Sequence, residues 1–270
     1  MKTIEQYSGA LNLAQIAAGM NHCQDNAKRL LRSAKALYKI KDYATAVSLA
    51  VLAIEEAGKT SILRGMVMAV DDAEMRKGWK EFRSHCQKNG FADLTSCMRS
   101  TLRLDDCRSV VTKGEKNYKT DDLKQIGFYV DCVGDAVWLI PEETITEEIA
   151  VKVLTVAGIV CRSKTTTTVR ELELWKETVG ACPQGTLQEQ KQQLVLWRRR
   201  MEAEGLVKPD PGFEKFVMGG VAIPDMTGHP IPECALSIMR SELSVNGMWK
   251  DVEMKERRGG VGEQGERSYV

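Results

Sequence analysis

The sequence predicts an all-α fold: an antiparallel helical bundle with additional C-terminal helices and an irregular, partly disordered tail. Three observations carry this reading. From Asn26 to Lys39 apolar residues return at helical spacing beside a row of Lys and Arg, and from Tyr43 to Ile54 the chain is apolar on nearly every side. Further on, two Thr-x-x-Glu boxes, Thr144–Glu147 and Thr186–Glu189, mark helix starts.

The first helix is read from Asn26, with Asp25 or Asn26 as its cap. Ala27, Leu30, Leu31, Ala34, Leu37 and Tyr38 form its inner face, and Lys28, Arg29, Arg32, Lys35 and Lys39 its outer one. A link at Lys41-Asp42 is short enough to fold the next helix back as an αα-hairpin. In that second helix Val47, Ala50, Val51, Ile54 and Gly58 share one face while Leu49, Leu52 and Leu63 line the opposite one, which places it in the middle of a bundle. Residues 71 to 88 read as a more polar helix with Met75, Trp79 and Phe82 inward. "TKGEKNYKTDD" reads as a polar loop, and "LKQIGFYVDCVGDAVWLIP" as short irregular or extended structure followed by a helical turn. The two Thr boxes open helices to about Cys161 and about Glu204, with a third helical pattern over 167–179 and Gly205 as a stop. Beyond Lys208 Pro and Gly become frequent. One more helical piece falls near 233–245, and "KERRGGVGEQGERSYV" has no apolar period.

Composition narrows the function classes. Hydrophobic residues make up 43% and charged residues 28%, with a formal net charge of +1, so a globally basic, polyanion-coating protein is not expected. The eight cysteines are scattered without a C-x-x-C, and the adjacent pairs His22-Cys23 and His85-Cys86 lack metal-ligand spacing; free thiols in a cytoplasm, with no metal and no cofactor, are the expectation. No apolar run is long enough to span a bilayer.

Chemistry concentrates where the apolar run ends. Glu55 and Lys59 stand four apart in the order that favours an intrahelical ion pair, with Glu56 beside them. Three preceding turns are expected to be buried, so these charges sit in or at the rim of the bundle, where charge needs a partner. Of three histidines, His22 precedes the first strong pattern and His229 lies in a Gly/Pro loop. His85 and Lys88 share a face of the predicted 71–88 helix. A histidine to shuttle protons, lysines to hold phosphate and a glutamate to orient them suit phosphodiester cleavage without metal. His85, Glu55, Glu56, Lys59 and Lys88 are therefore the candidate catalytic residues.

At "NAKRLLRSAKALYKIKDYATAVSLAVLAIEEAGKTSILR", "FRSHCQK" and "LKQIGFYVDC" the chain resembles the AbiV family of bacterial abortive-infection proteins, over about residues 20 to 165. The "A-x-E-E-x-G-K" run is the most specific part. That resemblance implies a HEPN-like helical core over 1–165; beyond it, the residues' own patterns give a C-terminal helical extension over 166–250 and a disordered tail over 251–270. It also implies an anti-phage role that arrests growth or translation, a homodimer, and metal-independent endoribonuclease chemistry. Many HEPN proteins carry an acid four positions before a lysine, as Glu55 and Lys59 stand here, and an Arg a few residues ahead of a His. The chain departs from the latter: Arg83 is two residues ahead of His85, and Arg76 nine. Arg83, Lys124 and Tyr129 are the candidate RNA contacts, with Asp131 flanking the site. Two other readings stay open. One is a non-catalytic interaction protein controlled by a phage-encoded activator or a host partner; the other takes Lys28, Arg29 and Arg32, or Arg198, Arg199 and Arg200, as the RNA-binding surface.

Overall fold

The computed structural model describes residues 5–84, 116–134, 136–162, 166–182 and 185–218. The backbone divides into two units, Met1–Ile231 and Pro232–Val270, and the second lies wholly outside the described residues, with the expected helix near 233–245, the tail and His229. Among the described residues the chain is helical apart from one small β-hairpin.

Helix α1 spans Leu13–Lys39 and starts well upstream of the expected Asn26. Asn12 is its cap: its side chain accepts from the Gln15 backbone N–H while Gln15 Oε1 accepts from the Asn12 N–H, both at 2.9 Å. The reason lies in the stripe, because Ile16, Met20 and Cys23 extend the buried row that Ala27, Leu31 and Ala34 continue, leaving Asp25 and Asn26 in mid-helix. The helix stops at a Schellman turn, in which Asp42 N–H reaches Leu37 O at 3.1 Å and Lys41 N–H reaches Tyr38 O at 3.0 Å. Lys41 takes the left-handed conformation, φ 67°, that this turn requires.

Asp42 then caps α2, Tyr43–Met66, by accepting from Thr45 N–H. As expected, α2 is the central rod, packed by α1, by α3 (Asp72–Arg83), by α4 (Lys116–Phe128) and by α6 (Glu147–Val160). Val47, Ala50 and Val51 are fully buried. Helix α3 is shorter than the 71–88 pattern, since Ser84 turns to an extended conformation at φ −78°, ψ 126°. From Lys116 on, helix α4 corrects the loop reading of "TKGEKNYKTDD", whose first four residues lie outside the described residues, and the irregular or extended reading of "LKQIGF". Leu123, Ile126 and Gly127 repeat at helical spacing and all face inward, and burial of that stripe decides the conformation.

Extended structure does follow, as β1 (Asp131–Val133) paired antiparallel with β2 (Val137–Leu139), Cys132 opposite Trp138. A helical turn, α5 (Pro141–Thr144), comes next. Thr146 rather than Thr144 caps α6, accepting from Ile149 N–H, because the Thr144 hydroxyl donates back to Ile140 O at 2.8 Å. The Thr186–Glu189 box opens α8 (Leu187–Ala203) as expected, after α7 (Val169–Thr178) and a 3-10 turn at Val179–Ala181; α9 covers Phe213–Val217.

One core cluster gathers Ile16, Met20, Ile62, Leu63, Met66, Met75 and Leu172, with Trp79 and Trp175 against its edge. Leu172 comes from α7, so the chain beyond 165 closes the same core. Asn21 seals this joint by exchanging two 2.9 Å hydrogen bonds with the Thr167 backbone.

Candidate functional site

The charges at the end of the apolar run do not form one cluster. Helix α2 sends them to two flanks. Glu55 is 2% exposed and accepts from Lys124 Nζ of α4 at 2.9 Å, so the expected Glu55–Lys59 orientation gives way to a buried pair between helices. Lys124 reaches it because α4 lies close against α2. The Ser48 hydroxyl donates to Lys124 O at 3.0 Å, and Gly127 has no side chain to hold the helices apart. Lys124, a candidate RNA contact, is itself 5% exposed, and its ammonium meets a carboxylate inside the bundle.

Glu56 and Lys59 form the second pair, across one helical turn, with both side chains partly exposed. Lys59 Nζ also lies 4.9 Å from the centre of the Phe82 ring on α3, a cation–π contact. On the α1 side Cys23 approaches the same pair. Burial, and then the Glu56 carboxylate, push its thiol up from 9.0 to about 11, against the pull of the Lys59 ammonium. An ammonium has three donors, and at a rim open to solvent the Lys59 group can hold an anion beside the carboxylate that steadies it. Sequence reasoning placed Phe82 on the inward stripe of its helix and read Cys23 only as a free thiol, and missed that they frame this pair. Phe82 belonged to the inward stripe of its helix, and that was the available signal.

Arg83 is turned toward the N-terminal segment. Its guanidinium donates to Tyr7 O and Trp79 O and stacks on the Trp79 ring at 5.1 Å. Tyr129 is 61% exposed and Asp131 is exposed, its carboxylate accepting from Cys132 N–H at 2.8 Å. His85 and Lys88 lie outside the described residues, immediately beyond the end of α3 whose Phe82 meets Lys59.

The arginines of the second basic run are paired with acids. Arg198 pairs with Glu202 and stacks on Phe213, Arg199 pairs with Glu214 and Arg200 with Glu177, so each guanidinium is already matched by a carboxylate. Among the described residues no group of three or more His, Cys, Asp or Glu side chains is placed to hold a metal ion, and no helix is long and apolar enough to cross a membrane.

A family model described as AbiV, of the HEPN type, matches residues 15–162. No curated protein and no solved structure matches the chain.

Proposed function

The chain belongs to the AbiV family of abortive-infection proteins, and from that premise we propose that it arrests growth or translation in phage-infected cells by cutting RNA. The observation that carries this is the Glu56–Lys59 pair, partly exposed beside Phe82 of the helix that leads into His85. In this reading His85 moves protons, Lys59 and Lys88 hold the phosphate and Glu56 orients Lys59. Glu55 acts from behind by locking α4 onto α2 through Lys124. Attack by the RNA's own 2′ oxygen needs an acid and a base, and these residue types can supply them. The protein works in the cytoplasm as a homodimer in this proposal.

RNA integrity tests it, in cells expressing wild type, His85→Ala or Lys59→Gln. Wild type is expected to fragment RNA and both variants to leave it whole. Growth arrest with intact RNA in the wild type would remove the nuclease and leave the defence role.

One observation favours a second reading, in which the protein acts by binding another protein such as a phage-encoded activator. The hairpin and the two residues before it carry Tyr129, Val130, Val137 and Trp138 more than half exposed. This reading predicts arrest that survives His85→Ala and is lost with Trp138→Ser.

A further inference from the structure

The outer flank of α1 carries charge of one sign. After Asp25 every charged residue of this helix is basic: Lys28, Arg29, Arg32, Lys35 and Lys39. Four of them, Lys28, Arg32, Lys35 and Lys39, follow one another at alternating steps of four and three residues. On a helix of 3.6 residues per turn they fall within roughly 60° of arc, and they run for about 16 Å along the axis. Arg29, Arg32, Lys35 and Lys39 are exposed. Lys28 has Asp25 at 4.0 Å and Arg29 donates to Asn26, but among the described residues no acceptor is placed on Arg32, Lys35 or Lys39.

Two ordinary explanations fall short. The helix dipole favours cations only in the last turn, which accounts for Lys39 and leaves Lys28 and Arg32, more than a turn away, without a role. A salt-bridged solvent face carries both signs, as on α8, where Arg198, Arg199 and Arg200 each have a carboxylate. In a chain whose net charge is only +1, one helix holding a line of four cations, three of them without an acid partner among the described residues, calls for an anionic partner with charges in a line.

We propose that this stripe is the docking surface for the backbone of single-stranded RNA, which it holds while the molecule is cut elsewhere. The choice of RNA rests on the nuclease reading above; the surface itself does not. A lipid surface fits less well. Helices that lie on membranes bury their apolar face in the bilayer, whereas the apolar face of α1, from Ile16 to Ala34, is already packed in the core. The spaced cations would each meet a phosphate and release its counterions, so binding falls with salt.

The test uses the full chain and a short fluorescein-labelled single-stranded RNA whose sugars are 2′-O-methylated, so that its own 2′ oxygen cannot cut it. Anisotropy is read between about 50 and 200 mM salt. Lys28, Arg32, Lys35 and Lys39 are changed together to Gln, a good helix former, so that the helix is retained. A control removes the same charge from exposed Arg76, Lys77, Lys176 and Lys215. We expect the stripe variant to bind roughly tenfold or more weakly at low salt, with the slope of log affinity on log salt shallower by about 2 to 3, and the control to bind like wild type. Equal loss in both variants, no loss in the stripe variant, no RNA binding by wild type, or wild-type binding confined to anionic vesicles would each overturn the proposal. Unmodified RNA run in parallel separates the two claims. Stripe-dependent binding without cleavage removes the nuclease and keeps the surface; cleavage without stripe dependence does the reverse.

Discussion

Glu55 and Lys124 place opposite charges where water is excluded. Replacing Lys124 by Met leaves a carboxylate buried against α4, and such a broken pair destabilises by about 3 to 5 kcal/mol. Adding Glu55→Gln to Lys124→Met is expected to recover much of that loss in urea unfolding. If the single variant unfolds at the wild-type midpoint, the pair is not a lock. Cys23 gives a second prediction, on pH. Its thiol is raised to about 11 from 9.0, so between these values the folded chain keeps a proton that the unfolded chain releases. The stabilising contribution is therefore whole below pH 9 and lost as pH rises to about 11. Cys23→Ala is expected to lose that slope in a series of unfolding curves, and an unchanged slope would assign it to another group. The sequence showed that Glu55 had to be partnered, because three buried turns precede it. It could not show by whom: Lys124 is 69 residues away, and local spacing pointed to Lys59 instead.

At the scale of elements, caps and close approaches decide where each helix ends and how near its neighbour lies. The Schellman turn puts Lys41 at φ 67°, where a side chain with a Cβ is strained by about 1 kcal/mol. Lys41→Gly should stabilise by an amount of that order, read as a rise in melting temperature. A lower melting temperature would mean that the lysine side chain contributes more than its strain. Where α4 meets α2, a Cβ on Gly127 would lie 2.6 Å from Ala44 O and collide with the Ser48 hydroxyl, against backbone that cannot yield. Gly127→Ala is accordingly expected to destabilise by about 1 to 3 kcal/mol. Helices with strong local signals, α2 and α8, were legible because an apolar run and a capping box are written in adjacent residues. The start of α1 and all of α4 were not. Their sequences are locally ambiguous or polar, and burial against α2, a property of the assembled bundle, settles them.

Across the whole molecule, the segment beyond 165 and the family-matched helices share hydrophobic core and polar contacts. Leu172 is fully buried among Ile16, Met20 and Leu63; Arg64 of α2 pairs with Glu171 at 2.5 Å and stacks on both Trp175 and Trp197. Two segments that close one core cannot unfold independently unless one exposes apolar surface that the other covers. Leu172→Ala removes a fully buried side chain and is expected to cost about 2 to 5 kcal/mol. The loss should appear in a single transition that also carries the Trp175 and Trp197 fluorescence, whose environment sits on the joint itself. If tryptophan fluorescence instead reports an early transition while helical circular dichroism stays at the wild-type midpoint, the later helices are an appendage, and the catalytic proposal must then stand on α1 to α6 alone.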